Sequence, residues 1–220
     1  VRVRPTPRDR RRQDDPDTRQ RLLDVARTLF TEQGFRQVTV RDICRKAKAN
    51  VAAVNYYFGG KEGLYLEIVH EGIAVMQETQ EIAARAGEGL SPARRLRAYV
   101  RAFLGRVMQA GGPSWIHKLM TRELNDPSSA LDLIAAQAIQ PRIDYLKALL
   151  AELLDCRPDD ERVMLCMASI WGQWLIHSPN EGRDRFWPRT RTPADIERTV
   201  DHIVEFSLGG IRAIAAKSGN

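Results

Sequence analysis

Residues 39–61 read TVRDICRKAKANVAAVNYYFGGK, and the rest of the chain takes its meaning from them. The first part predicts a short helix, because Val40, Ile43, Cys44 and Ala47 recur at i, i+3, i+4 and i+7, one apolar stripe of helical period. Thr39 stands just before that stripe and Asp42 three residues on, in the manner of a capping box. A turn follows at 48–50. In the second short helix Val54 and Phe58 share one face, while Ala52, Ala53, Asn55 and Tyr56 point elsewhere. Gly59 and Gly60 then break the chain before a much longer helix. An outward face of two alanines, an amide and a phenol suits close approach to a polymer. Small side chains let a backbone come near, an asparagine amide can pair with a base edge, and a tyrosine hydroxyl can bond a phosphate. The expectation is a helix-turn-helix whose second helix enters a DNA groove.

The neighbouring sequence supports a small three-helix core around that stretch. Asp17 reads as an N-cap, with a helix from Thr18 to about Gln33 whose Leu22, Val25, Ala26, Leu29 and Phe30 form a stripe. Gly34 supplies the stop, and Phe35 and Val38 complete the core. Residues 1–16, VRVRPTPRDRRRQDDP, hold six arginines and three prolines without apolar periodicity, so they are expected to form a flexible basic arm. Net charge over the 220 residues is +6, and its distribution is uneven. Residues 1–62 hold 15 Lys and Arg against 8 Asp and Glu, and the remainder 19 against 20. The positive excess therefore lies entirely in the segment with the helix-turn-helix, which points to a polyanionic partner.

The pattern ARTLFTEQGFRQVTVRDICRKAKANVAAVNYYFGGKEGLY resembles the N-terminal domain of the TetR family of bacterial transcriptional repressors, and NVAAVNYYFGGKE is similar to its CecR-like branch. The resemblance implies that Val51, Ala52, Asn55 and Tyr56 face base edges and that Thr39, Asn50, Tyr57 and Lys61 contact phosphates. Lys61 also suits that role physically, since it opens a helix whose free N–H groups already favour an anion. One position departs from the pattern: the family has glycine in the turn where this chain has Lys48, a residue that could add a phosphate contact. Glycine tolerates a left-handed backbone that lysine adopts only at a cost.

Beyond residue 61 the chain is expected to be all-α, about nine helices in total. The spacing predicts a helix over 61–86, with Leu64, Ile68, Gly72, Val75, Met76, Thr79, Ile82 and Ala83 buried. Further helices are expected over 92–110, 114–125, 128–154, 159–177 and 194–216. Pro141 should kink or split the fourth of these. WIHKLMTRELNDPSSALD, the IQP at 139–141 and SIWGQWL also look CecR-like. The expected organisation is a basic arm over 1–16, a DNA-binding domain over 17–62, and an effector-binding and dimerisation domain over 63–220.

No apolar run reaches the ~18 residues of a membrane span, and the N-terminus lacks the apolar core of a signal peptide. Three scattered cysteines fit a reducing compartment. A cytoplasmic protein is expected, with no membrane partner. The four histidines fall on four different helices without metal-ligand spacing to the cysteines, and no phosphate-binding glycine loop or H-E-x-x-H occurs. No catalytic residues, metal or cofactor are expected. A pocket lined by Met76, Phe103, Trp115, Met120 and Trp171 would suit a small apolar or aromatic effector. Trp171, Trp174, Ile203, Phe206 and Gly210 on the last two helices suggest pairing with a second copy. The resulting expectation is a ligand-responsive, dimeric repressor of a palindromic operator. A sequence-neutral DNA binder is the alternative, and a helical enzyme or adaptor a third.

Overall fold

Helical periodicity runs through nearly the whole chain, and helices follow it. The computed structural model describes residues 16–108, 114–177, 185–186 and 192–217, and among them there is no β-strand. In chain order the elements are α1 (Pro16–Gln33), α2 (Val40–Ala47), α3 (Val51–Phe58), α4 (Lys61–Gly87), α5 (Pro92–Met108), α6 (Ser114–Asn125), α7 (Leu131–Ile134), a π-helical turn (Ala135–Ile139), α8 (Gln140–Leu154), α9 (Glu161–Leu175) and α10 (Pro193–Ala216). The fold is all-α. No helix among the described residues is long and apolar enough to cross a membrane. The arm over 1–15 lies outside the described residues.

Several boundaries differ from expectation for local reasons. Helix α1 begins at Pro16 rather than Thr18, because proline is well suited to a first helical turn, where its missing N–H has no partner to lose. Helix α9 is shorter at both ends than 159–177. Asp160 caps it, accepting from the Arg162 N–H at 2.9 Å. Residues 128–130 are a turn instead of the start of a helix, since the Glu123 carboxylate accepts from the Ser128 N–H at 3.1 Å and from its hydroxyl at 3.0 Å.

The chain packs into two compact units, with the division inside α4 and at the start of α6. The first unit comprises residues up to 73 together with 115–133. Leu22, Ala26 and Phe30 of α1, Ile43 of α2, Val54 of α3 and Leu64 and Ile68 of α4 are all fully buried. Each such side chain contributes roughly 1.5–3 kcal/mol of burial. Phe30, Phe35 and Tyr65 form an aromatic cluster, with Tyr65 4.9 Å edge-on from Phe30 and 4.8 Å from Phe35.

Residues 115–133 bind into this unit through polar groups as well as through Ile116, Leu119 and Met120. Buried Tyr65 donates its hydroxyl to Glu123 Oε1, and burial together with that carboxylate pushes the phenol well above its ordinary value. Arg122 donates to the Glu32 carbonyl at 2.6 Å, satisfying an acceptor in the last turn of α1. Arg36 pairs with Asp126 at 3.5 Å, and Ser129 donates to Glu62 at 2.7 Å.

In the second unit α10 packs on α5, α8 and α9. Leu96, Leu104, Leu146, Leu150, Val163 and Val200 are fully buried there. Arg97 and Arg101 tie α5 to Glu197 and Asp201 of α10. Ile82, expected inside, is 44 % exposed, because only Thr79 and Ala83 of that turn face the core. Pro141 acts as expected on its helix, and the form of the break is a π turn, in which Gln140 N–H reaches back five residues to the Ala135 carbonyl. Proline has no N–H to give the Gln137 carbonyl four residues earlier. The side chain of Gln77 donates to that carbonyl instead, at 3.1 Å.

Candidate functional site

Caps and a tight turn set the geometry of α2 and α3. The Thr39 hydroxyl accepts from the Asp42 N–H at 3.2 Å and donates to the Asp42 carboxylate at 2.6 Å. That bond, helped by Arg45 at 2.6 Å, holds the Asp42 carboxyl below its usual range. The chain then turns through Lys48 at φ 53°, ψ 42°, a left-handed conformation. Ala49 N–H donates to the Cys44 carbonyl at 3.0 Å, the 6→1 bond of a Schellman turn. The turn thus keeps the shape glycine would give it, at a strain of about 1–2 kcal/mol for an L residue. It leaves Lys48 exposed beside Arg45 and Lys46. Asn50 caps α3, its Oδ1 accepting from the Ala52 N–H at 2.9 Å.

On α3 the residues 51, 52, 55 and 56 lie on one side, at i, i+1, i+4 and i+5. Val51 is 43 % and Tyr56 64 % exposed, and Ala52 and Asn55 are exposed between them. Val54 and Phe58 are buried beneath, as their spacing predicts. Ala53 corrects the sequence reading. It is buried at 2 % rather than facing outward, because α3 packs against both α1 and α2 and so hides more than one stripe. Tyr57 is half-buried, its ring 5.1 Å edge-on from Tyr56.

Helix α4 starts very close to the end of α3. Gly59 ends α3 at φ 72°, and a Cβ on Gly63 would lie 1.8 Å from the Phe58 carbonyl oxygen. Only glycine allows that approach. Lys61 lies between them with its ammonium 4.3 Å above the Phe35 ring, and partial burial lowers its pKa from the ordinary lysine value.

In the second unit a small closed cavity is lined by Tyr99, Val100, Phe103, Arg142, Ile170, Trp171 and Ile203. Phe103 and Trp171 of the expected pocket are therefore neighbours on one cavity. Met76 is buried in the same unit but is not part of this lining. Trp115 and Met120 belong to the first unit, where Met120 is buried and Trp115 carries the Arg27 guanidinium 5.3 Å above its ring. Arg142 was missed, although a signal existed. It is four residues from Ala138 and from Leu146, on a stripe that is otherwise apolar and buried.

Of the residues expected at a dimer face, Phe206 is 66 % exposed and Gly210 is exposed. Ile203 is a correction, because it is only 1 % exposed and packs within its own subunit's core. Trp171 faces the cavity, and the Trp174 side chain lies outside the described residues. Met164 and Leu165 of α9, not singled out from the sequence, are 45 % and 59 % exposed.

A capped helix-turn-helix with an outward row of small, amide and phenolic side chains, followed by a helical unit with an internal cavity, defines a DNA-binding regulator. Residues 22–68 match the family of bacterial regulatory proteins of TetR type, and residues 92–211 match the C-terminal domain of the HTH-type transcriptional dual regulator CecR. The chain belongs to the TetR family. It is 30 % identical over 175 residues to the dual regulator CecR of Shigella flexneri, covering 71 % of this chain and 74 % of that one. Among solved structures it resembles the ketosteroid regulator KstR2 of Mycobacterium tuberculosis, with a TM-score of 0.61 and 20 % identity, over 87 % of this chain and 93 % of that one. It resembles equally AibR, solved in complex with isovaleryl coenzyme A and operator DNA, with a TM-score of 0.61 and 19 % identity, over 86 % and 97 %. The chain is a transcriptional regulator and not an enzyme.

Proposed function

We propose that this protein is a cytoplasmic repressor that binds a palindromic operator as a homodimer and leaves it when a small molecule binds. The observation that carries this is the row Val51, Ala52, Asn55 and Tyr56, exposed on α3 above the buried Val54 and Phe58. In this reading those four side chains meet base edges, while Thr39, Lys48, Asn50, Tyr57 and Lys61 reach phosphates on either side. A basic arm over 1–16 and a DNA-binding region over 17–62 precede an effector and dimerisation region over 63–220. Two reading helices about one turn of DNA apart, ~34 Å, match a palindrome. AibR, with the same fold, was solved with an acyl thioester and operator DNA together, which supports a ligand and an operator acting on one chain. Helix α4 runs unbroken from Lys61 to Gly87 and begins at the DNA side. An effector that favours a state in which α4 is displaced changes the spacing of the reading helices. Effector and operator then oppose each other reciprocally.

The test is selection of binding sites from random duplexes by the full chain at physiological salt. A palindrome with half-sites one turn apart is expected. Asn55→Ala should weaken binding by about 1–3 kcal/mol and relax preference at one position of each half-site. Enrichment of no palindrome would leave a sequence-neutral DNA binder, and weak binding of every duplex would leave an adaptor.

A further inference from the structure

Arg142 is out of place by every rule that built the second unit. Ala138, Leu146 and Leu150 on the same stripe are buried apolar residues, and the position between them holds a cation. Its guanidinium lies 4.1 Å above the Phe103 ring in the lining of the closed cavity. Burial lowers its pKa, with the Tyr99 oxygen partly offsetting that effect. Stacking on an aromatic face compensates a desolvated cation only in part, and charge placed in an apolar interior is costly.

The same cavity holds two further polar groups. The indole Nε1 of Trp171 and the hydroxyl of Tyr99 are shielded from solvent without a hydrogen-bond partner among the described residues. An indole N–H and a guanidinium can only donate, and a phenol can do so. The remaining lining residues are Val100, Phe103, Ile170 and Ile203. Donors and one positive charge therefore converge inside aromatic and aliphatic walls, with no carboxylate in the described lining. Arg142 is set there by the π turn and Pro141 just before it, and π turns recur at functional sites.

We infer that this cavity is the head-group site for an amphipathic carboxylate, whose anionic end is held by Arg142, Trp171 and Tyr99 and whose apolar body lies along the aromatic walls. This rests on the reading of the second unit as effector-binding and gives that effector a chemical class. It replaces the purely apolar effector expected from the sequence with an acid. As it stands the cavity has room for about a water molecule, so it can receive the head group alone, and the body enters as Phe103 and Trp171 part.

The test measures binding to the full chain in the absence of DNA, by calorimetry and thermal shift, with benzoate and octanoate set against benzamide and octanamide. At least one acid should bind, and its amide should bind at least ten-fold more weakly. Arg142→Met should reduce the acid to the level of its amide, Arg142→Lys should keep part of the preference, and Trp171→Phe should weaken the acid several-fold. A group held ready for an anion also leaves the melting temperature of R142M unchanged or raised when no ligand is present. Failure of both acids to bind, equal binding of acid and amide, or a preference that survives in R142M overturns the assignment. So does a fall in the melting temperature of R142M with no acid preference in the unaltered chain, which marks a packing role. An acid preference in a chain that selects no palindrome keeps this site and removes the repressor; a palindrome without acid preference does the reverse.

Discussion

Gly63 shows how much a single missing side chain controls. Its hydrogen takes the place of a Cβ that would lie 1.8 Å from the Phe58 carbonyl, so α4 starts directly against the end of the reading helix. Gly63→Ala should lower stability by about 2–3 kcal/mol through forced separation of the two helices. Urea denaturation checks this, and an unchanged midpoint would contradict so close an approach. Lys48 is the opposite case, an ordinary residue kept in a left-handed turn that glycine would occupy without strain. The turn was legible in the sequence as a break and its strain as a departure from pattern. Ala53 was not legible. Alanine fits an inner or an outer face equally well, and only the double contact of α3 with α1 and α2 decides between them. Arg142 escaped for a related reason, since a charged residue on a stripe reads as the edge of that stripe until the packing around it is known.

At the level of elements, the caps were the most readable features and the interruptions the least. Thr39 was foreseen as a cap, whereas Asp160 was taken for the first residues of a helix it actually terminates. Its carboxylate accepts from the Arg162 backbone at 2.9 Å and from the guanidinium at 2.9 and 2.7 Å. These bonds pull its pKa down to about 2 from 3.8. A carboxyl with a lower pKa in the folded than in the unfolded chain stabilises the fold above the unfolded value, and that contribution disappears as pH falls through the folded one. The unaltered protein should therefore lose more stability between about pH 4 and pH 2 than Asp160→Asn, which still caps but does not titrate. Equal losses, measured by denaturant titration across that range, would show that the bonds to Arg162 are not maintained in solution. Pro141 allowed a kink or a split to be expected. That the helix would widen into a π turn, and that Gln77 would take up the orphaned carbonyl, depends on a neighbour sixty positions away in sequence.

For the whole molecule, the fold class and the two functional ends were legible because periodicity and charge distribution are summed over many residues. The partner-facing surface was less so. Long apolar stripes on α9 and α10 cover both a core and an outer face, and the sequence does not separate Ile203, which is buried, from Phe206, which is exposed. Met164, Leu165 and Phe206 are large apolar groups exposed on a single chain, which supports an apolar face of the kind two copies share. Leu165→Arg combined with Phe206→Arg should give a monomer by light scattering, with helical content unchanged and palindrome binding lost. A dimer that persists would move the interface elsewhere.

The first unit has one more consequence, for the borrowing of parts between regulators. Its core and its buried polar pair draw on residues 115–133 as well as on the first 73. A hybrid that joins residues 1–62 to a foreign C-terminal region would lose Tyr65, Ile68, Leu119 and Glu123 together, and with them much of the packing behind the reading helix. The chain can be exchanged as a cassette only if α6 and the turn after it travel with the helix-turn-helix, although some fifty residues of the second unit and its flanks intervene in the gene.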